Sequence, residues 1–236
     1  MKEGDGEKGV ARSLMTGSFR RRAFIKYTGL TTGVAALTLA GCKDDDDNMP
    51  NEGVDLGSGD PGMLNYAYAL EQLEAAFYTM VCSDGSFTTI FSESEQSMLK
   101  DIRDHEITHR EFLKAALADK AIADLEVDFS SIDFSKRDSV LGAAKTFEDL
   151  GVSAYNGAGN LIADANYLLI AGKIVSVEAR HAAAIRDMID PKTASFSGDD
   201  VVDSNGLDGA KMPSEVLSAA ASYLKTKVNA SNLPTT

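Results

Sequence analysis

Glu106-Ile107-Thr108-His109 and Glu178-Ala179-Arg180-His181 decide how this chain is read. The chain has three histidines, and two of them stand three residues after a glutamate. Positions i and i+3 share one face of an α-helix. Each pair therefore offers a carboxylate and an imidazole to one point, a grip for a metal ion. Both pairs fall near the middle of stretches with apolar residues at helical spacing.

Two further stretches supply the complement. Leu70-Glu71-x-Leu73 aligns with Phe147-Glu148-x-Leu150, and Tyr78 and Tyr155 each follow their glutamate by seven residues. Seven residues are two turns, about 10 Å along the same face. The chain thus repeats one unit: Glu and Tyr on one helix, then Glu-x-x-His on the next. Tyr78 and Tyr155 read either as packing residues with satisfied hydroxyls or as groups behind the ligands that donate hydrogen bonds or electrons.

The surrounding pattern is helical almost throughout. A first helix is expected from Asp60-Pro61, with Asp60 as N-cap and proline at the first helical position, running past Val81 to Ser83-Asp84-Gly85-Ser86. Ser92-x-x-Glu95 is a capping box that opens a second helix through Leu117. Residues 119–136 are poorly periodic and read as a long connection. A third helix covers about 137–156, after which Gly157 and Gly159 loosen the chain. A fourth covers 165–189 and stops before Pro191. Residues 190–212 are polar, and a last short helix is expected over 214–228. Short, long and short connections imply two antiparallel helix pairs joined by one crossover. The expected fold is all-α: a ferritin-like four-helix bundle over 60–190 with one long crossover, then a polar linker and C-terminal helix over 191–236.

One glutamate from each of two helices, plus Glu-x-x-His from each of the other two, is the ligand set of di-iron and di-manganese carboxylate bundles. Glu71, Glu106, His109, Glu148, Glu178 and His181 match it position by position. Leu70-Glu71-Gln72-Leu73-Glu74-Ala75-Ala76-Phe77-Tyr78 and the stretch from Phe147 to Gly157 resemble the ferritin-like family that includes the desiccation-associated proteins. The resemblance spans about residues 60–190. It implies two iron ions, with manganese as the alternative. It also implies possible ferroxidase- or peroxidase-like activity, meaning Fe(II) oxidation or reduction of oxygen or peroxide, in envelope stress protection. The rival is a non-catalytic structural or stress-binding protein, metal-stabilised or metal-free. Oxygen-rich ligation with one nitrogen per ion suits iron or manganese better than structural zinc.

The chain also departs from bacterioferritin-type sites, where an aspartate one turn before each ligand histidine often orients it. His105 and Val177 stand at those positions, so what orients the imidazoles is left open. His105 itself reads as an exposed helix histidine. Glu74, one turn after Glu71, reads as a seventh ligand, an acceptor behind the ligands or a surface residue. Its counterpart in the repeat is Gly151, which makes Glu71 the ligand of the two.

The formal net charge is −13. Seven basic and three acidic residues lie within 1–41, so the remainder is more acidic still. That excludes a nucleic-acid partner, which needs a basic face. Arg20-Arg21-Arg22-Ala23-Phe24-Ile25-Lys26 precedes an apolar run too short to span a bilayer, which ends in Leu39-Ala40-Gly41-Cys42. The first resembles a twin-arginine export signal and the second a lipobox. Residues 1–41 are therefore expected to be a cleaved export signal, Cys42 the lipid attachment point, and 42–59 a disordered acidic tether. Lys43-Asp44-Asp45-Asp46-Asp47 resembles the tag of surface lipoproteins. The expected location is the cell envelope, at the outer membrane or cell surface, with the membrane as partner through the anchor. Cys82 is then alone and reads as a buried, inert thiol.

Overall fold

The computed structural model describes residues 53–235. The export signal, Cys42 and most of the acidic tether lie outside the described residues. Four long helices carry the fold: α1 (Gly59–Ser83), α3 (Glu93–Leu117), α4 (Arg137–Ala158) and α5 (Ala165–Ile189). A short α2 (Phe87–Ile90) sits in the first turn, and α6 (Pro213–Ala220) follows the bundle. Among the described residues, no helix is long and apolar enough to cross a membrane.

Local chemistry sets the helix ends. The Ser92 side chain accepts from the Glu95 backbone and Glu95 accepts from the Ser92 backbone, so the expected capping box opens α3. Asp164 caps α5 by accepting from the backbones of Asn166 and Tyr167. The start of α1 differs from expectation. Ser58 is its N-cap, and Asp60 instead accepts from the backbone N–H groups of Ala163 and Asp164, both at 2.8 Å. Its carboxylate is thus spent on the turn between α4 and α5. At the other end of the bundle, the Arg137 guanidinium binds Glu95 and the Met188 carbonyl, each at 2.6 Å, and so ties α3, α4 and α5 together.

α1 packs along α3 and α4 along α5. Side-chain contacts fix the directions. Asn65 reaches Lys120 while Cys82 reaches Leu99, so α1 and α3 are antiparallel. Tyr155 reaches Glu71 while Tyr78 reaches Glu148, so α1 and α4 are antiparallel too. The 118–136 connection must then run the length of the bundle, the single crossover expected from the connection lengths. It is held by polar groups of α1. Asn65 donates to the Leu56 and Lys120 carbonyls and accepts from Ile122, and Gln72 accepts from the Leu125 backbone. Asn65 and Gln72 are buried because the crossover's backbone needs partners there.

The core is dominated by α1, which is buried on nearly every side. Phe77 packs edge-on against Phe147 at 5.0 Å and Phe129 at 5.8 Å, and Phe147 packs against Tyr223 at 4.7 Å. Each fully buried ring contributes roughly 2–3 kcal/mol through lost apolar exposure. Phe129 of the crossover and Tyr223 of the C-terminal segment thereby close one side of the bundle.

Three boundaries shift. Residues 53–59 belong to the fold: β1 (Val54–Asp55) pairs in parallel with β2 (Val228–Asn229), and Leu56 is fully buried. The fold therefore takes in residues 53–59, which the expected tether over 42–59 had included. The last helix is shorter than 214–228, because α6 stops at Ala220 and the chain goes on to pair with β1. Gly157 loosens nothing. It lies inside α4, where a Cβ would stand 1.9 Å from the Lys211 carbonyl oxygen. Its missing side chain lets residues 209–211 cross α4, fixed by Lys211 N–H to the Ser153 carbonyl and Asn156 to the Gly209 carbonyl. Arg186 secures the same segment, pairing with both Asp149 and Asp200. Cys82 is half-buried rather than buried. Its thiol faces the Leu99 carbonyl, and burial pushes its pKa up.

Candidate metal centre

Each long helix sends two chemical side chains to the middle of the bundle. Glu71 and Tyr78 come from α1, Glu106 and His109 from α3, Glu148 and Tyr155 from α4, and Glu178 and His181 from α5. All four glutamates are completely buried, and His181 is 5% exposed. The six acidic and imidazole side chains form two groups of four, Glu71/Glu106/His109/Glu178 and Glu106/Glu148/Glu178/His181. Within each group, one donor atom per residue lies within 4.8 Å of the others.

Glu106 and Glu178 belong to both groups and divide their oxygens between them. Glu106 Oε2 is 3.6 Å from His109 Nδ1, and its Oε1 is 2.7 Å from His181 Nδ1. Glu178 Oε1 is 2.9 Å from His109 Nδ1, and its Oε2 is 3.8 Å from His181 Nδ1. Glu71 and Glu148 serve one group each. Glu71 Oε2 is 3.5 Å from His109 Nδ1, and Glu148 Oε2 is 3.6 Å from His181 Nδ1. The arrangement is two-fold, as the repeat in the sequence requires.

The donor atoms fit cations. Glu71 Oε2, Glu148 Oε2, both oxygens of Glu106 and Glu178, and Nδ1 of both histidines are buried without a properly directed hydrogen bond. Leaving so many polar atoms unpaired in a protein interior is costly. They are close together yet not aimed at one another, because they converge on shared points between them. Oxygen-rich sets with one nitrogen each suit iron or manganese.

A sequence-family comparison matches residues 59–191 to the ferritin-like domain. The chain belongs to the ferritin-like family. No curated protein matches the sequence.

In this ferritin-like domain the outward oxygens of the two single-group glutamates are held across the bundle. Tyr155 donates to Glu71 Oε1 and Tyr78 to Glu148 Oε1, each at 2.5 Å. A tyrosine two turns from its own glutamate cannot reach it. In an antiparallel pair it lies level with the partner helix's glutamate instead. Both tyrosines thus act behind the ligands as well as filling the core. Burial, then the charge of the glutamate each one faces, raises their pKa well above 10. They stay protonated donors.

With no metal bound, the imidazoles are the cations nearest the carboxylates. Burial opposes charging of His109, but Glu106, Glu178 and Glu71 outweigh it and push its pKa up to about 12. Burial opposes charging of His181 likewise, and Glu106, Glu148 and Glu178 push it to about 12. Glu106 is raised by burial but lowered more by the two imidazoles, to about 2. Burial raises Glu148 to about 8, and burial together with repulsion from Glu178 raises Glu71 well above its ordinary value. Glu106 is thus an anion between two imidazolium groups, Glu148 holds its proton at neutral pH, and Glu71 is pressed toward its neutral form.

Two residues left open by the sequence take defined places. Glu74 is a buried residue, 4% exposed, and not a surface one. Its Oε1 would lie 3.0 Å from a Cβ on Gly151, so the absent side chain of Gly151 makes room for it. It belongs to neither group of four. Burial, then repulsion from Glu178, raises its pKa well above the ordinary value. His105 is exposed, as expected, but it is not idle: its Nδ1 lies 2.9 Å from Nε2 of His181, with the two ring planes within 20° of each other. Spacing within α3 does not disclose this bond, because it depends on how α5 is set beside α3.

Proposed function

We propose that this chain is an exported, lipid-anchored protein of the cell envelope whose ferritin-like bundle holds two iron ions. Its activity is Fe(II) oxidation coupled to reduction of oxygen or peroxide, in the service of stress protection. The observation that carries the metal reading is the convergence of buried, unpartnered donor atoms from four helices into two groups that share Glu106 and Glu178.

The charges support it. Two divalent ions would bring four positive charges to four carboxylates whose burial as anions is otherwise costly. Glu106 and Glu178 would serve both positions, Glu71 and His109 would complete one, and Glu148 and His181 the other. When bound, iron supplies one-electron chemistry between its +2 and +3 states. The protein's part is to hold that chemistry dry and fixed. Tyr155 and Tyr78 lock the outward oxygens of Glu71 and Glu148, so that each of these carboxylates faces the centre with one oxygen. The four helices exclude water from every carboxylate. To serve as ligands, Glu148, His109 and His181 would each give up a proton that they hold at neutral pH.

Export and anchoring rest on Arg21-Arg22 and on Leu39-Ala40-Gly41-Cys42. A twin-arginine route suits a protein that folds and takes up metal before crossing.

A scaffold without redox activity is favoured by one observation: the imidazolium groups already offset part of the buried negative charge without metal. One experiment separates the two readings. Protein made through its own export route is analysed for metal, then loaded anaerobically with Fe(II) and mixed with oxygen or peroxide. We expect two ions per chain and oxidation that Glu71→Ala and His109→Ala both abolish. Metal content and melting unchanged in both variants would place the site elsewhere. Two ions without turnover would leave the scaffold.

A further inference from the structure

The two groups of four are related by the repeat, yet their imidazoles are not held alike. The Nε2 of His181 meets Nδ1 of His105 at 2.9 Å. The Nε2 of His109 has no hydrogen-bond partner among the described residues. The residue on α5 that corresponds to His105 is Val177, one position before Glu178, and it has no acceptor to offer.

We propose that His105 is the positioning residue of His181 and makes the two cation positions unequal, so that the Glu106/Glu148/Glu178/His181 position fills first. The inference rests on the two-cation reading above. An imidazole that ligates through Nδ1 must carry its proton on Nε2. His105 accepts that proton's hydrogen bond, which selects the ligating tautomer and fixes the plane of the ring. To accept at Nδ1, His105 holds its own proton on Nε2.

The same bond is formed by the folded chain itself, between α3 and α5. Loading this position therefore requires no turning of its ring. His109 has no such partner on Nε2, so its ring is held only from the Nδ1 side, by the carboxylates of the centre. A second departure from symmetry lies on the same side: Glu74 Oε1 and Glu178 Oε2 both flank the bare Cα of Gly151, and Glu178 Oε2 is the oxygen that faces His181.

Calorimetric titration of the purified full chain with Mn(II) tests this, together with ¹⁵N NMR of the chelator-treated protein. Wild type should bind two ions in two separate steps. His105→Ala should weaken the tighter step by about ten- to a hundredfold, the usual cost of losing such a partner, and leave the weaker one in place. His105→Asn puts an amide oxygen near the position of Nδ1 and should restore the tight step. Before metal is added, the slowly exchanging Nε2–H of His181 should vanish in His105→Ala and return in His105→Asn. Two unequal steps that survive His105→Ala, or Asn failing to restore the tight one, overturn the assignment. So do two identical steps in wild type. A wild type that binds no Mn(II) while its Nε2–H signal behaves as described overturns the two-cation reading itself, and the filling order with it.

Discussion

Glu71→Gln and Glu106→Gln each remove one carboxylate from the centre and should both abolish tight metal binding. Without metal they should differ sharply. At pH 6 Glu106 is ionised, since both imidazoles hold it at about 2, and it stands 2.7 Å from His181 Nδ1 and 3.6 Å from His109 Nδ1. Its replacement by an amide strips two buried imidazolium groups of a shared counter-ion. Breaking a buried pair from one side costs about 3–5 kcal/mol. Burial and repulsion from Glu178 press Glu71 toward its neutral form, and glutamine keeps the oxygen that accepts from Tyr155. Exchanging a carboxyl already pressed toward neutrality for an amide of the same shape should cost no more than about 1 kcal/mol. For a domain of this size each kcal/mol moves Tm by about 2–4 °C. Chelator-treated Glu106→Gln should therefore melt about 10 °C below wild type, and Glu71→Gln within about 3 °C of it. Circular dichroism melts at pH 6 read this directly. Equal losses, or a greater loss in Glu71→Gln, would refute the charge assignment.

Three other outcomes follow. Metal-free stability should fall as pH rises from about 6.5 to 8: both histidines and Glu148 hold protons there in the native state that the unfolded chain has released, and each such proton costs about 1.4 kcal/mol per pH unit. Below about pH 4.5 the sign reverses for Glu106, whose lowered pKa gives stability that is lost as pH falls toward 2. Tyr78→Phe and Tyr155→Phe each deprive a buried carboxyl oxygen of its donor and should cost about 1–3 kcal/mol apiece in urea unfolding. Gly157→Ala drives a methyl group into the Lys211 carbonyl, so limited proteolysis within 198–211 should accelerate while the metal content stays that of wild type.

The six ligand candidates were legible because helix periodicity reports which residues share a face. Glu-x-x-His occurring twice needs no tertiary knowledge, nor do the capping box at Ser92 and the bounds of α5. Periodicity says nothing about which helix lies opposite. For that reason the crossed tyrosine bonds, the His105–His181 contact and the burial of Glu74 over Gly151 were beyond it. Each depends on axial register between helices that are far apart in sequence. The role of Asp60 was hidden for a related reason. An aspartate beside a proline at a helix start has an ordinary local use, and here a turn a hundred residues away takes precedence. The short pairing of Val54–Asp55 with Val228–Asn229 shows no alternating run at all, since two residues are too few to form one.

The crossed tyrosines bear on how the molecule assembles. The α1–α3 hairpin carries Tyr78 but not the glutamate it serves, and the α4–α5 hairpin carries Tyr155 under the same deficit. Neither hairpin can finish its half alone, however well its helices form. The interior cannot be completed until the crossover has delivered the second hairpin against the first, so the acidic chamber cannot close before the two hairpins meet.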